Sequence, residues 1–214
     1  AEVASKMPAI VRYFAGHSHP KMLKLEPVSE CGRFFGMHDR VPAGSEFARW
    51  YNKASETAQE TGLPISFSGL RLKGTHSCFC GAFAEPFSVT PDGLVTACYE
   101  AYSAEARNGG TFIFGRWNEN NRAFDFDLQR LETLRTRNVD NLVPCKHCFC
   151  KYSCGGDCPT RNVRSSGTMD LWRVGARCEA IRGVTKHALL RCLGSEVSRA
   201  AARGKENTNV RHTG

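Results

Sequence analysis

Five cysteines fall within the sixteen residues "PCKHCFCKYSCGGDCP", 144 to 159, with Cys145, Cys148, Cys154 and Cys158 separated by two, five and three residues. Thiolates are soft ligands, and zinc or an iron–sulfur cluster is the ordinary reason to gather four or more of them. A C-x2-C loop can turn both sulfurs toward one centre. Either all four serve that centre, or the last reaches a second one, as in two-cluster ferredoxins where a cysteine followed by proline ligates the neighbour. Cys158 is followed by Pro159. The Gly155-Gly156 pair lets backbone approach such a centre closely and aim N–H groups at sulfur.

The chain holds 11 cysteines in 214 residues, too many for packing alone. The count is odd, and the start "AEVASKMPAIVRYFAGHSHPK" has no apolar signal segment, so a disulfide-stapled secreted scaffold is disfavoured and a cytoplasmic location is expected. No apolar run reaches the length of about 20 residues that spans a bilayer, so no membrane partner is expected. The formal charge of +8 counts every thiol as neutral. A four-iron, four-sulfur core held by four thiolates is net about −2, so two clusters would cancel much of that excess. The remaining basic residues are scattered or lie in the tail, which argues against nucleic acid as a partner.

The elements that must carry these thiols change character along the chain. "MLKLEPV" (22 to 28) and "LPISFSGL" (63 to 70) read as strands flanking a helix from Ser45, an expected N-cap, to Gly62, with Phe47, Trp50, Tyr51, Ala54 and Ala58 on one face. Strand, helix, strand is the crossover unit of a parallel sheet or barrel. From about Thr75, cysteines and glycines take over. A hairpin is expected around Thr-Pro-Asp-Gly, between Phe87/Val89 and Leu94/Val95. One helix is expected at "FDLQRLETLRTR" and another from Glu179 through Ile181, Val184, Ala188 and Cys192. The tail from Ser195 reads as polar, basic and disordered.

Taken together, Cys80-x12-Gly93-x4-Cys98, then Cys145-x2-Cys148-x5-Cys154-x3-Cys158, then Cys178, resembles the seven-cysteine signature of the SPASM domain found at the C-terminus of many radical SAM enzymes. The resemblance spans residues 75 to about 194. In that family the domain follows a partial (β/α)6 barrel, whose last portion "LKLEPVSECGR" and the following helix and strand are similar to. The expected fold is therefore α+β: 1–74, the end of a partial radical SAM barrel; 75–194, a SPASM domain with a hairpin and helices around two clusters; 195–214, the tail. The barrel's C-x3-C-x2-C loop has no counterpart. The chain is then expected to be a C-terminal fragment or to work with a partner supplying the core.

The resemblance implies two auxiliary 4Fe-4S clusters, one held by Cys80, Cys98 and Cys158, the other by Cys145, Cys148, Cys154 and Cys178. The fourth position of the first is either Cys78 or an open iron that binds substrate. It further implies an oxidoreductase that matures a peptide or protein substrate, with S-adenosyl-L-methionine and a third 4Fe-4S cluster in the full-length enzyme and a leader-peptide-binding partner. No catalytic residue is assigned. The rival expectation is a zinc-stabilised four-cysteine interaction module without redox role. Cys150 matches no signature position and reads as a buried thiol; Cys192 and Cys31 read as packed thiols, His147 as a solvated loop residue, Asp157 as a turn or helix cap, and His76 carries no assignment.

Overall fold

The computed structural model describes residues 3–28, 40–83, 87–106, 108–169 and 175–209, with no side-chain description at 165 or 196–209. Cys31 lies outside the described residues. A short 3-10 turn, Ala4–Lys6, leads into helix α1, Met7–His17, which opens on Pro8 in its first turn, where a missing N–H costs nothing. Strand β1, Leu23–Lys24, is joined through helix α2, Gly44–Thr61, to β2, Ile65–Ser66, and the two strands pair in parallel with Leu23 opposite Ile65. This two-stranded pair is the extent of parallel sheet among the described residues.

Helix α2 starts one residue before the expected N-cap. Ala43 occupies that position and has no side-chain acceptor to cap the helix, while Gly44 is pressed against the Ala176 carbonyl, where a Cβ could not fit. Its end is as the residues dictate: Gly62 takes a left-handed φ of 71°. Phe47, Tyr51, Ala54 and Ala58 are buried and Trp50 packs at the margin.

The second sheet is antiparallel, in the order β3 (Ser88–Val89), β4 (Leu94–Thr96), β5 (Ile113–Asn118), β6 (Ala123–Phe126). The β3–β4 hairpin is the expected one; β5–β6 is a hairpin that the sequence reading passed over. Short helix α3, Gly109–Phe112, leads into β5, and α4, Leu128–Thr136, follows β6 with the Asp127 carboxylate accepting from Arg130 N at 2.9 Å. Next come a 3-10 turn at Val143–Cys145 and helices α5, Lys151–Cys154, and α6, Pro159–Ser166. The last helix, α7, runs from Ala176 to Asn209. It carries helical backbone well past Ser195, where a disordered tail was expected; "EVSRAAARGKEN" is rich in residues that favour helix and holds no proline to end one.

Two apolar cores result. The first joins Met7, Val11, Phe47, Tyr51 and Phe67 to Ala180, Ile181 and Val184 of α7, and includes Cys150 and Cys154. The second gathers Phe83, Val95, Phe112, Phe114, Leu134 and Val163, with Cys78 and Cys98 packed against it. The first core therefore crosses the 74/75 boundary read from sequence texture. No helix among the described residues is long and apolar enough to cross a membrane.

Candidate metal centre

Each core delivers its own set of thiols. Cys145, Cys148, Cys154 and Cys178 line one cavity, together with Cys150, Arg182, Lys151 and Ile181. The 3-10 turn presents Cys145, the reverse turn closed by Cys148 N to Cys145 O at 3.0 Å presents Cys148, α5 presents Cys154, and the first turn of α7 presents Cys178. Burial pushes the Cys154 thiol up to about 12; the buried Asp157 charge adds to this, and the N–H groups of Asp157 and Gly156 oppose it. Burial and then Asp157 push Cys178 up to about 11. Cys145 is raised by burial and by charge at Cys148. Burial also opposes ionisation of Cys148, but hydrogen bonds from Arg182 and Cys150 outweigh it and lower this thiol.

The second set is Cys80, Cys98 and Cys158. Burial raises Cys80, the Ala82 N–H opposes, and charge at neighbouring Cys158 and Cys98 raises it further. Cys80 nonetheless keeps an exposed surface. The β3–β4 hairpin positions Cys98: Gly93 turns it with φ 73°, leaving no space for a Cβ against Trp117. The Cys98 Sγ lies 3.1 Å from Thr160 Oγ1. Cys158 is the N-cap residue of α6, where burial raises its thiol against the N–H groups of Arg161 and Thr160. The Cys78 thiol instead donates to Arg137 O at 3.3 Å.

Between the two sets the backbone runs Gly155, Gly156, Asp157 with φ of 71°, 81° and 57°, three left-handed residues in a row. Such a run curls successive N–H groups toward one point, here the Cys154 sulfur. Three arginines, none singled out by the sequence reading, hold it. Arg71 donates to Phe79 O (3.0 Å), Cys78 O (3.3 Å), Ser153 O (3.3 Å) and Cys154 O (2.7 Å), tying the stretch before Cys80 to the end of α5. Arg137 donates to Gly156 O at 3.2 Å. Arg177 joins Asp157 Oδ1 (2.7 Å) to Ser68 Oγ (2.7 Å) and Glu26 Oε2 (3.3 Å). Asp157 thus anchors an ion pair, and the expected capping role is not what its side chain does. Arg177 stands next to Cys178, Arg71 seven residues before Cys78 and Arg137 eight before Cys145, yet only a charge in apolar neighbourhoods such as "GLRLKG" could have flagged them.

Of the remaining residues, His147 is exposed. His76 Nε2 meets Lys73 O at 3.0 Å. Cys192, expected in the core, is exposed, because the buried residues of α7 end at Val184 and Thr185, about two helical turns before it. Cys150 is buried, with its sulfur 3.4 Å from that of Cys148.

Soft thiols gathered in two sets, with Arg182 and Lys151 to offset negative charge, suit iron–sulfur ligation chemically. The space among the five thiols is ≈ 20 Å³, room for about one water, so a cluster would have to swing those side chains outward. Among the described residues no three His, Cys, Asp or Glu side chains are close enough to grip a single metal ion. No protein-family model matches the chain, and no curated protein matches it.

Proposed function

We propose that this chain is the auxiliary-cluster portion of a radical SAM/SPASM oxidoreductase that matures a peptide or protein substrate. The observation that carries the reading is the convergence of Cys145, Cys148, Cys154 and Cys178, drawn from four separate turns and helices, on one cavity. The grouping of Cys80 with Cys98 and Cys158 adds a second set. Two 4Fe-4S clusters held by these thiols would supply one-electron transfer. The chain's own residues bind and shape: Arg71, Arg137 and Arg177 fix the loop, Gly156 and Asp157 direct N–H groups at Cys154, and α6 directs two more at Cys158. S-adenosyl-L-methionine, a third cluster and a leader-peptide-binding partner belong, in this reading, to the rest of the enzyme. The Cys78 thiol engaged with Arg137 O favours three protein ligands at the first cluster, leaving one iron open.

The test is iron, sulfide and zinc analysis with an absorption spectrum on anaerobically reconstituted chain. About eight iron and eight sulfide, with visible absorption bleached by dithionite, are expected. Stoichiometric zinc, with no visible absorption when iron and sulfide are supplied, overturns the reading in favour of a structural zinc module.

A further inference from the structure

Helices α2 and α7 meet through their smallest residues. A Cβ on Gly183 would lie 2.6 Å from that of Ala48, and Gly44 abuts the Ala176 carbonyl. Small residues at the contact sink the floor while longer side chains stand around it, and the result is an open groove of ≈ 770 Å³, the size of a small-ligand site. Three cations line it, Arg49, Arg182 and Lys186, against one carboxylate, Glu179, and Phe149 adds an aromatic wall that is 60% exposed. Arg49 lies 4.9 Å over the Trp50 ring, which leaves the edge of its guanidinium open to a carboxylate. Among the described residues no ion pair engages Arg49 or Lys186. Asn52 also lines the groove, and its Oδ1 is buried without a donor, so it gains from any ligand that brings an N–H.

We infer that this groove binds an acidic peptide segment. Carboxylates of the peptide meet Arg49 and Lys186, one of its backbone N–H groups donates to Asn52 Oδ1, and its apolar parts rest on Phe149. Inorganic phosphate or a nucleic-acid backbone satisfies the cations but brings no N–H for Asn52. In naming the chemistry of the substrate the inference rests on the maturase reading above, although the binding itself needs no metal. Arg182 joins the two sites: it lines both the groove and the thiol cavity, and it donates to the Cys148 sulfur. A peptide in the groove therefore lies one side chain away from the thiols.

The experiment titrates the full chain, both metal-free and anaerobically reconstituted, by calorimetry with a short capped peptide of alternating glutamate and alanine, its lysine counterpart, inorganic phosphate and oligothymidylate. The glutamate peptide should bind about tenfold tighter than the other three. Its affinity should fall about tenfold in R49Q/K186Q and about fivefold in N52L. E179Q removes the opposing charge and should bind about threefold tighter, a gain that misfolding cannot imitate. R135Q, on α4, removes a cation outside the groove and should change nothing. No binding, a loss in R135Q equal to that in R49Q/K186Q, or phosphate or oligothymidylate binding as tightly as the peptide overturns the inference. Peptide binding by a chain that takes up no iron overturns the maturase reading and leaves the groove standing; iron uptake without peptide binding does the reverse.

Discussion

A Cβ at Gly155 would sit 2.5 Å from the Cys78 carbonyl oxygen, on a backbone with φ 71°. Gly62 has the same φ and open space around it. G155A should therefore cost at least about 2 kcal/mol more than G62A, which carries only the left-handed penalty of about 1 kcal/mol. Urea midpoints of the two variants give that difference directly. Arg71 presents a similar contrast, since its guanidinium serves four carbonyl oxygens from two segments. R71M should lose about 3 kcal/mol and R71K should recover little of it, because an ammonium cannot span that fork. The thiols themselves set a pH dependence. Cys178 and Cys154 hold their protons up to about 11 and about 12 in the folded chain, against an ordinary value of 9.0. The folded state then binds more protons than the unfolded one above pH 9, so the stability they contribute is fully present below pH 9 and lost as pH rises toward 11 and 12. Denaturation of reduced, metal-free chain across that range should show the fall. Iron loading should release protons and proceed further at pH 8.5 than at pH 6.5, scored by iron bound.

Among the elements, α7 has two duties: Ile181 closes the first core and lines the thiol cavity on the same turn that carries Cys178. I181A should lower stability by about 2–5 kcal/mol and also reduce iron retained after gel filtration, whereas L190A, at an exposed position of α7, should change neither. The same element shows where reading a sequence stops. Helix α2 was legible because Phe47, Tyr51, Ala54 and Ala58 repeat at helical spacing and Gly62 ends the run; its first turn was not, because the fit of Gly44 against Ala176 is a contact between residues 132 apart. The β3–β4 hairpin was written in Thr-Pro-Asp-Gly. The β5–β6 hairpin turns through Asn-Glu-Asn-Asn-Arg, with Arg122 at φ 53°, and lacks the glycine that would announce it. The family resemblance implied a grouping of the thiols, but cysteine spacing holds no orientation. It therefore could not reveal that Cys78 faces the Arg137 carbonyl or that Cys150 faces Cys148.

For the whole molecule, the two cores and the loop between them make one structure that the thiols help to hold together. Cys150 and Cys154 are core residues, and Arg177 ties the loop to Glu26 and Ser68 at the other end of the chain. Ligation at these thiols should therefore be felt throughout. The iron-loaded chain should melt well above the metal-free chain, and hydrogen exchange should slow at Phe47 and Val184 as well as at 144–158, since metal binding supplies folding energy directly. Protection confined to 144–158 would mean that the loop orders independently of the cores. The ion pair of Arg177 with Glu26 has a further consequence in time. Its partners are 151 positions apart, and Cys178 follows Cys80 by about 100 residues. At a synthesis rate of about 5–20 residues per second, Cys80 waits roughly 5–20 s before Cys178 is made. The set of Cys80, Cys98 and Cys158 is complete 20 residues before the other, whose last member, Cys178, is made only as α7 begins.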